Sequence, residues 1–355
     1  MHNLRQCRDA SQVASVVALA CAIISGVLLS GIGRTAAQPA AFYSGKQISM
    51  VIGSCAGGGY DVYARFLARH LARHIPGSPT IISQNMPAAS GLAATNWAYN
   101  IAPKDGTVIL ATYNALLDDP LYGSPAARFD PLKFEAVGSI AKQQTVCATW
   151  HTSKIKTIEQ AKQQEVTVSA TGAAGDRATM PRILNALLGT KFKVINGYGT
   201  TESMLAVERG EVDGMCGVSW STLKVSNPEW VQKNRLNVMI QAGAKPQAGL
   251  PNVPLVIDQA SNPDDRKLIE LLFFPQEMGR PFVMPPETPK ELVSAIRRAF
   301  DATMKDPAFL AEAEKSIFDV DPLTGEEMEQ ILKRAYATPK ALIQRAAEFN
   351  GSGGQ

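Results

Sequence analysis

Cys55, His70, His74 and His151 are the side chains whose types could support nucleophilic catalysis or hold a metal ion. Cys55 stands in a glycine-rich loop and could act as a nucleophile, but no local signature ties any of the three histidines to it as a base. His70 and His74 have the i,i+4 spacing of a metal pair. The intervening Leu71-Ala72-Arg73 lacks the glutamate of a zincin, and both positions continue an apolar helix face, so they read as core or interface histidines. Arg65, Arg69 and Arg73 form a basic stripe on the opposite face, which reads as a solvated surface.

The more promising chemistry belongs to the backbone. Ser54, Ala56, Gly57, Gly58, Gly59, Tyr60 and Asp61 lie between an apolar run and a helical period. A loop at that place puts amide N–H groups where the helix dipole favours an anion. The other reading is a tight strand-to-helix turn capped by Asp61. The loop has neither Gly-x-Gly-x-x-Gly spacing nor a following Gly-Lys-Ser/Thr, which argues against a nucleotide, and neither a cofactor nor a metal is expected. Ser169, Thr171, Gly172, Ala173, Ala174, Gly175 and Asp176 form a second small-residue loop of the same kind, so two facing loops would make a clamp. Tyr60, Tyr113, Tyr198 and Trp220 stand at or beside strand ends and are either pocket walls or core. Thr112 and Asn114 are candidate donors to a ligand oxygen, or else local turn formers.

These loops need strands and helices to hold them. Ile48 to Gly53 reads as a strand and Tyr63 to Ile75 as a helix stopped by Pro76-Gly77. Thr80 to Ser83 reads as the next strand, giving a right-handed crossover and a parallel sheet. A helix over Leu92 to Asn100 and a strand over Thr107 to Ala111 follow. A second α/β unit reads as strand Val166 to Ser169, helix Pro181 to Leu188, strand Phe192 to Ile195, helix Ser203 to Arg209 and strand Val212 to Cys216. From Pro285 the chain is helical over Glu291 to Lys305, Pro307 to Lys315, Gly325 to Tyr336 and Pro339 to Phe349.

The whole chain has 355 residues, too long for one ordinary core, so two lobes are expected. With 45% hydrophobic and 19% charged residues it is neither disordered nor a multi-span membrane protein, and a net charge of +3 gives no field for nucleic acid. Arg5 and Arg8 precede an almost uncharged run from Val13 to Gly33, followed by Thr35-Ala36-Ala37. Residues 1–37 therefore read as an export signal cleaved after Ala37, with an N-terminal membrane anchor as the competing reading. Cleavage leaves Cys55, Cys147 and Cys216, which an oxidising compartment allows to form one disulfide; their spacing does not choose the pair.

Several motifs together resemble one family. They are Ile48-Ser-Met-Val-Ile-Gly53 with Ala56-Gly-Gly-Gly-Tyr-Asp61 and Ala64-Arg65, then Gln84-Asn85-Met86-Pro87 and Ala102-Pro103-Lys104-Asp105-Gly106-Thr107. Met284-Pro-Pro-Glu-Thr-Pro289 and Phe300-Asp-Ala-Thr-Met-Lys-Asp-Pro307 complete the set. In order and spacing they are similar to the Bug-type extracytoplasmic solute receptors of tripartite tricarboxylate transporters. The resemblance implies a periplasmic-binding-protein type II fold with two α/β lobes, residues 42–144 plus 273–355 and residues 145–272. It further implies a monomeric, non-enzymatic periplasmic protein that holds a small organic carboxylate in the cleft, through Ser54 to Asp61 and Ser169 to Asp176, and delivers it to membrane subunits. The chain departs from the family at Tyr60, at Ala88-Ala89-Ser90-Gly91 and at Asp176-Arg177, which bears on ligand size and charge. A sensor role with a membrane signalling partner and a Cys55-dependent enzyme are the alternatives.

Overall fold

A computed structural model describes residues 39–349 apart from 171–175, 199, 244 and 248. The export signal over 1–37 and the second-loop residues Thr171, Gly172, Ala173, Ala174 and Gly175 lie outside the described residues. The described strands are β1 (Gln47–Ile52), β2 (Thr80–Asn85), β3 (Val108–Ala111), β4 (Glu135–Ser139), β5 (Thr145–Trp150), β6 (Val166–Ala170), β7 (Phe192–Asn196), β8 (Gly214–Ser219), β9 (Leu236–Ala242), β10 (Pro281–Met284) and β11 (Leu323–Thr324).

They form two sheets, ordered β11-β4-β10-β3-β1-β2 and β7-β6-β8-β5-β9. In the first, β1 runs parallel to β2 and β3, with Ile48 opposite Ile81 and Met50 opposite Ile109. In the second, β6 runs parallel to β7 and β8. The parallel arrangement expected from the strand-helix-strand pattern holds for these strands. Both sheets are nevertheless mixed, because β10 is antiparallel to β3 and β4, and β5 is antiparallel to β8 and β9. β5 and β10 follow passages of the chain from one sheet to the other, and a strand entering a sheet that way need not keep the direction a helical crossover imposes.

Helices cover both faces of the first sheet. Phe66 from the helix Gly59–Leu71 stacks on Phe309 at 4.3 Å, and Ile296 and Phe300 from Lys290–Met304 complete that layer. Leu92–Asn100, Gly325–Tyr336 and Lys340–Ala347 cover the opposite face. The second sheet has its own core on each side, one around Cys147, Leu184 and Ile240, the other around Trp150, Trp220 and Trp230. This is the two-lobed α/β architecture of periplasmic binding proteins.

The chain passes between the sheets at 140–144 and again at 243–280, and the two passages touch. Gln143 N–H donates to Gln276 O at 2.7 Å and Ile140 N–H to Arg280 O at 3.3 Å. Several boundaries differ from the sequence reading: the helix read over Tyr63 to Ile75 spans Gly59–Leu71, and that read over Ser203 to Arg209 spans Thr200–Glu208. The helix expected from Pro181 spans Asp176–Leu188, with Pro181 inside it. The strand expected over Val212 to Cys216 is β8, beginning at Gly214; before it, Asp213 meets β6 through its side chain, accepting from Thr167 N–H at 2.8 Å.

Candidate functional site

The first loop leaves β1 at Gly53, whose N–H donates to Ala111 O at 2.9 Å. A Cβ on Gly91 would stand 2.3 Å from Gly53 O, so this close backbone approach requires glycine at Gly91. Asp61 organises the loop from the first turn of the helix it enters. Its Oδ2 accepts from Gly57 N–H at 2.8 Å, and its Oδ1 accepts from Asn85 Nδ2 and Arg65 Nε, each at 2.8 Å. Asn85 Nδ2 also donates to Ser54 O, and Arg65 Nη2 donates to Asn85 Oδ1. Burial alone would raise the Asp61 carboxyl, yet the bonds from Gly57, Asn85 and Arg65 hold it below the usual range.

This network limits which loop amides are left as donors. Gly57 N–H is taken by Asp61 and Gly58 N–H by Cys55 O, so neither is a free donor. Gly58, the residue before the helix, gives no side-chain cap, which leaves the first-turn amides of Gly59 and Tyr60 without an intrahelical acceptor. Asp61 thus ties down the Gly57 end of the loop, and the amides of Gly59 and Tyr60 are what remains for an anion. Arg65 is not a merely solvated charge, and the rest of its stripe is also tied down. Arg69 pairs with Glu312, and Arg73 with Asp306 at 2.6 Å.

Beside that helix start lies Arg280, which no sequence motif marked. It is 5% exposed. Its guanidinium lies 4.5 Å from the Tyr60 ring centre and 5.0 Å from that of Tyr63, and Nη1 donates to Gln143 Oε1 at 2.7 Å and to Gly279 O at 2.9 Å. Nε has no acceptor, and Arg280 makes no ion pair with a carboxylate among the described residues. A Cβ on Gly59 would meet Arg280 Nη2 at 3.6 Å and Thr222 Oγ1, from the second-sheet unit, at 3.7 Å. The only sequence signal was a single charge within the otherwise apolar run Met278 to Met284.

Tyr60 links this corner to the opposite wall. Its hydroxyl donates to Asn114 Oδ1 at 2.7 Å, and its ring meets Tyr113 edge-on at 4.3 Å. Burial, opposed by Arg280, pushes the Tyr60 phenol up to about 12. Asn114 Nδ2 donates to Pro275 O at 2.9 Å, which places Asn114 in the wall rather than free to reach a ligand.

Three other candidates do not line a site. Thr112 is fully buried with its hydroxyl 2.9 Å from Thr95 Oγ1, so it fastens β3 to the helix Leu92–Asn100. Trp220 is core, packed among Trp150, Trp230 and Leu223. Ser169 is buried with its hydroxyl 2.6 Å from Ser203 Oγ, which also accepts from Arg177 Nη1 at 2.9 Å. Tyr198 is half-buried against the second-sheet core, and Ser54 is buried with its carbonyl held by Asn85. Cys55 and Ala56 are exposed.

Next to Asn114 the cleft opens into a cavity of about 300 Å³ lined by Asp118, Asp119, Asp176, Thr145 and Gln276. Asp118 is raised well above the carboxylate range, first by burial and then by Asp119 and Asp176. Burial also raises Asp119 to about 6, and the Asp176 carboxyl borders the same cavity although the residue is exposed.

The histidines are occupied elsewhere. His70 Nε2 lies 2.7 Å from Glu312 Oε2, His74 Nε2 lies 2.7 Å from Asp306 Oδ2, and His151 packs against Trp150. Cys147 and Cys216 form a disulfide between β5 and β8, the pairing that spacing left open.

Known proteins share this fold. A UPF0065 protein from Bordetella bronchiseptica is 24% identical over 302 residues, covering 82% of this chain and 83% of its own. The crystal structure of a TctC solute binding protein from Polaromonas superposes with a TM-score of 0.65 at 19% identity, over 85% of this chain and 99% of that one. MatC from Rhodopseudomonas palustris, with bound malate, superposes with a TM-score of 0.61 at 16% identity, over 85% and 99%. Residues 63–347 match the family described as "Tripartite tricarboxylate transporter family receptor", and with two such sheets around such a cleft the chain belongs to that family of solute-binding receptors.

Proposed function

We propose that this protein is a non-enzymatic periplasmic receptor, exported by residues 1–37, that closes as a monomer around a small organic carboxylate and delivers it to the membrane subunits of a tripartite tricarboxylate-type transporter. The observation that carries the reading is Arg280, a buried guanidinium with an unpaired Nε and no carboxylate partner among the described residues, set against the uncapped start of the helix Gly59–Leu71. A buried cation is strongly favoured by a matching anion, and the helix dipole adds in the same direction. The malate held by a receptor of the same fold is of this chemical class. Closure about the passages at 140–144 and 243–280 would bring the Asp176 end of the second loop toward Tyr60. Nothing in the surroundings of Cys55 favours the enzyme alternative, since His70 and His74 are bound to carboxylates of another helix.

The test is calorimetry and thermal shift with a panel of small carboxylates and their amides, on wild type and Arg280→Met. A carboxylate at 100 times its dissociation constant stabilises wild type by about 2.7 kcal/mol. Arg280→Met is expected to lose at least about tenfold in carboxylate affinity while the ligand-free variant keeps its stability, because an apolar side chain of similar volume replaces an unpaired buried charge. Unchanged affinity in a folded variant overturns the role of Arg280. Equal binding of acid and amide overturns the carboxylate reading.

A further inference from the structure

The cavity beside Asn114 has a wall that a simple carboxylate would not use. Asp118 is 7% exposed, and Asp119 and Asp176 share the cavity with it. After burial, Asp119 and Asp176 both push the Asp118 carboxyl up, and no described Lys, Arg or His is paired to any of the three. Gln276 is an independent observation. Its side chain is 8% exposed and lines the same cavity, its Nε2 donates to Thr145 Oγ1 at 2.9 Å, and its Oε1 has no donor. Four acceptor groups thus surround one cavity with no cation paired to them among the described residues. No group of three or more His, Cys, Asp or Glu among the described residues is arranged to hold a metal ion, so the acceptors do not converge on a point charge. A nitrogen cation with several N–H bonds suits dispersed acceptors better.

Tyr60 sets the distance between this wall and the anion corner. Its backbone belongs to the helix start beside Arg280, and its hydroxyl ends at Asn114 on the rim of the acidic cavity. The two subsites are therefore separated by about the length of a tyrosine side chain, with Arg280 and Asp176 both acting on the phenol between them. An amine on the carbon next to a carboxylate would not span that separation.

Resting on the carboxylate reading above and extending it, we infer that the cleft selects an ω-amino carboxylate, its carboxylate at the Gly59–Arg280 corner and its ammonium group among Asp118, Asp119, Asp176 and Gln276 Oε1.

The experiment compares 5-aminopentanoate and 6-aminohexanoate with pentanoate and hexanoate by calorimetry, with aspartate and succinate as the pair whose amine sits beside a carboxylate. The expected result is at least tenfold tighter binding of an ω-amino acid than of its amine-free partner, and no such gain for aspartate over succinate. In Asp119→Asn, and in Asp118→Asn if it folds, the ω-amino preference falls toward one. Amine-free acids binding as well as or better than their ω-amino partners overturns this inference and leaves the carboxylate reading standing. A gain for aspartate alone overturns the spacing argument and with it the ω-amino assignment. No binding of any of the six overturns both.

Discussion

At the scale of single residues, the charges of the glycine loop are held by specific partners, whereas some exposed residues carry strained backbone with little to offset it. Ala89 and Ser90 both adopt left-handed backbone, with φ of 52° and 54°, on the way to Gly91 at 85°. A side chain with a Cβ costs about 1 kcal/mol in that region. Ala89 is exposed, so no packing offsets the cost. Ala89→Gly is expected to raise stability by roughly 0.5 kcal/mol once the extra freedom of glycine in the unfolded chain is subtracted, as read by the urea midpoint. A lower midpoint would show that Ala89 is better supported than its backbone suggests. The same scale explains where sequence reasoning failed at the site. Tyr60, Tyr113 and Asp61 could be named because each adjoins the glycine loop or a strand end. Thr112 and Trp220 also adjoin strand ends, but one turns to Thr95 and the other into the core. Which side of the strand's end such a residue faces depends on what packs there, and that is not written locally.

At the scale of elements, legibility followed capping and periodicity. Pro307–Lys315 and Gly325–Tyr336 were readable to the residue because Asp306 and Thr324 cap them, with Glu327 completing a capping box at the second. β4, β5, β9 and β10 escaped the reading. β4, β5 and β10 are buried throughout, and such short runs do not announce their period. Arg280 went unseen with β10, since only the meeting of two distant passages makes it part of a site. The pairing of Cys147 with Cys216 is likewise a product of strand order, because β5 and β8 are neighbours only in the folded sheet. The bond closes a separation of 69 residues, for which the loop-entropy relation gives about 4 kcal/mol, with measured values for native bonds commonly 2 to 4. Both cysteines are fully buried. Equilibrium unfolding with and without a thiol reductant should therefore show a loss of about 2 to 4 kcal/mol in the second lobe. Coincident curves would mean that the bridge adds nothing to its stability.

At the scale of the whole molecule, the cleft opposes the fold. Asp118 and Asp119 both have raised carboxyl values, Asp119 about 6. A carboxyl whose folded value lies above its unfolded one binds more protons in the native state over the interval between them, so stability falls as pH rises through it. For Asp119 that interval runs from the ordinary 3.8 to about 6. Asp61 works the other way, contributing stability above its ordinary value and losing it only in stronger acid. The ligand-free protein is therefore expected to melt at a higher temperature near about pH 5 than near about pH 7.5, and Asp119→Asn to reduce the difference. A melting temperature that is flat or rising over this range would contradict the cleft charges inferred for the empty protein.

The strand order has a consequence for how the chain comes to be folded at all. The second sheet is drawn from one continuous stretch, 145–242, whereas β10, the strand that joins β3 to β4 in the first sheet, arrives only at 281–284, and β11 later still. During synthesis the early segments of the first lobe must wait, unpaired along one edge, until most of the chain has been made. The lobe that carries the glycine loop is thus completed last although it is begun first, and the outer edge of β3 stays open until β10 has been made.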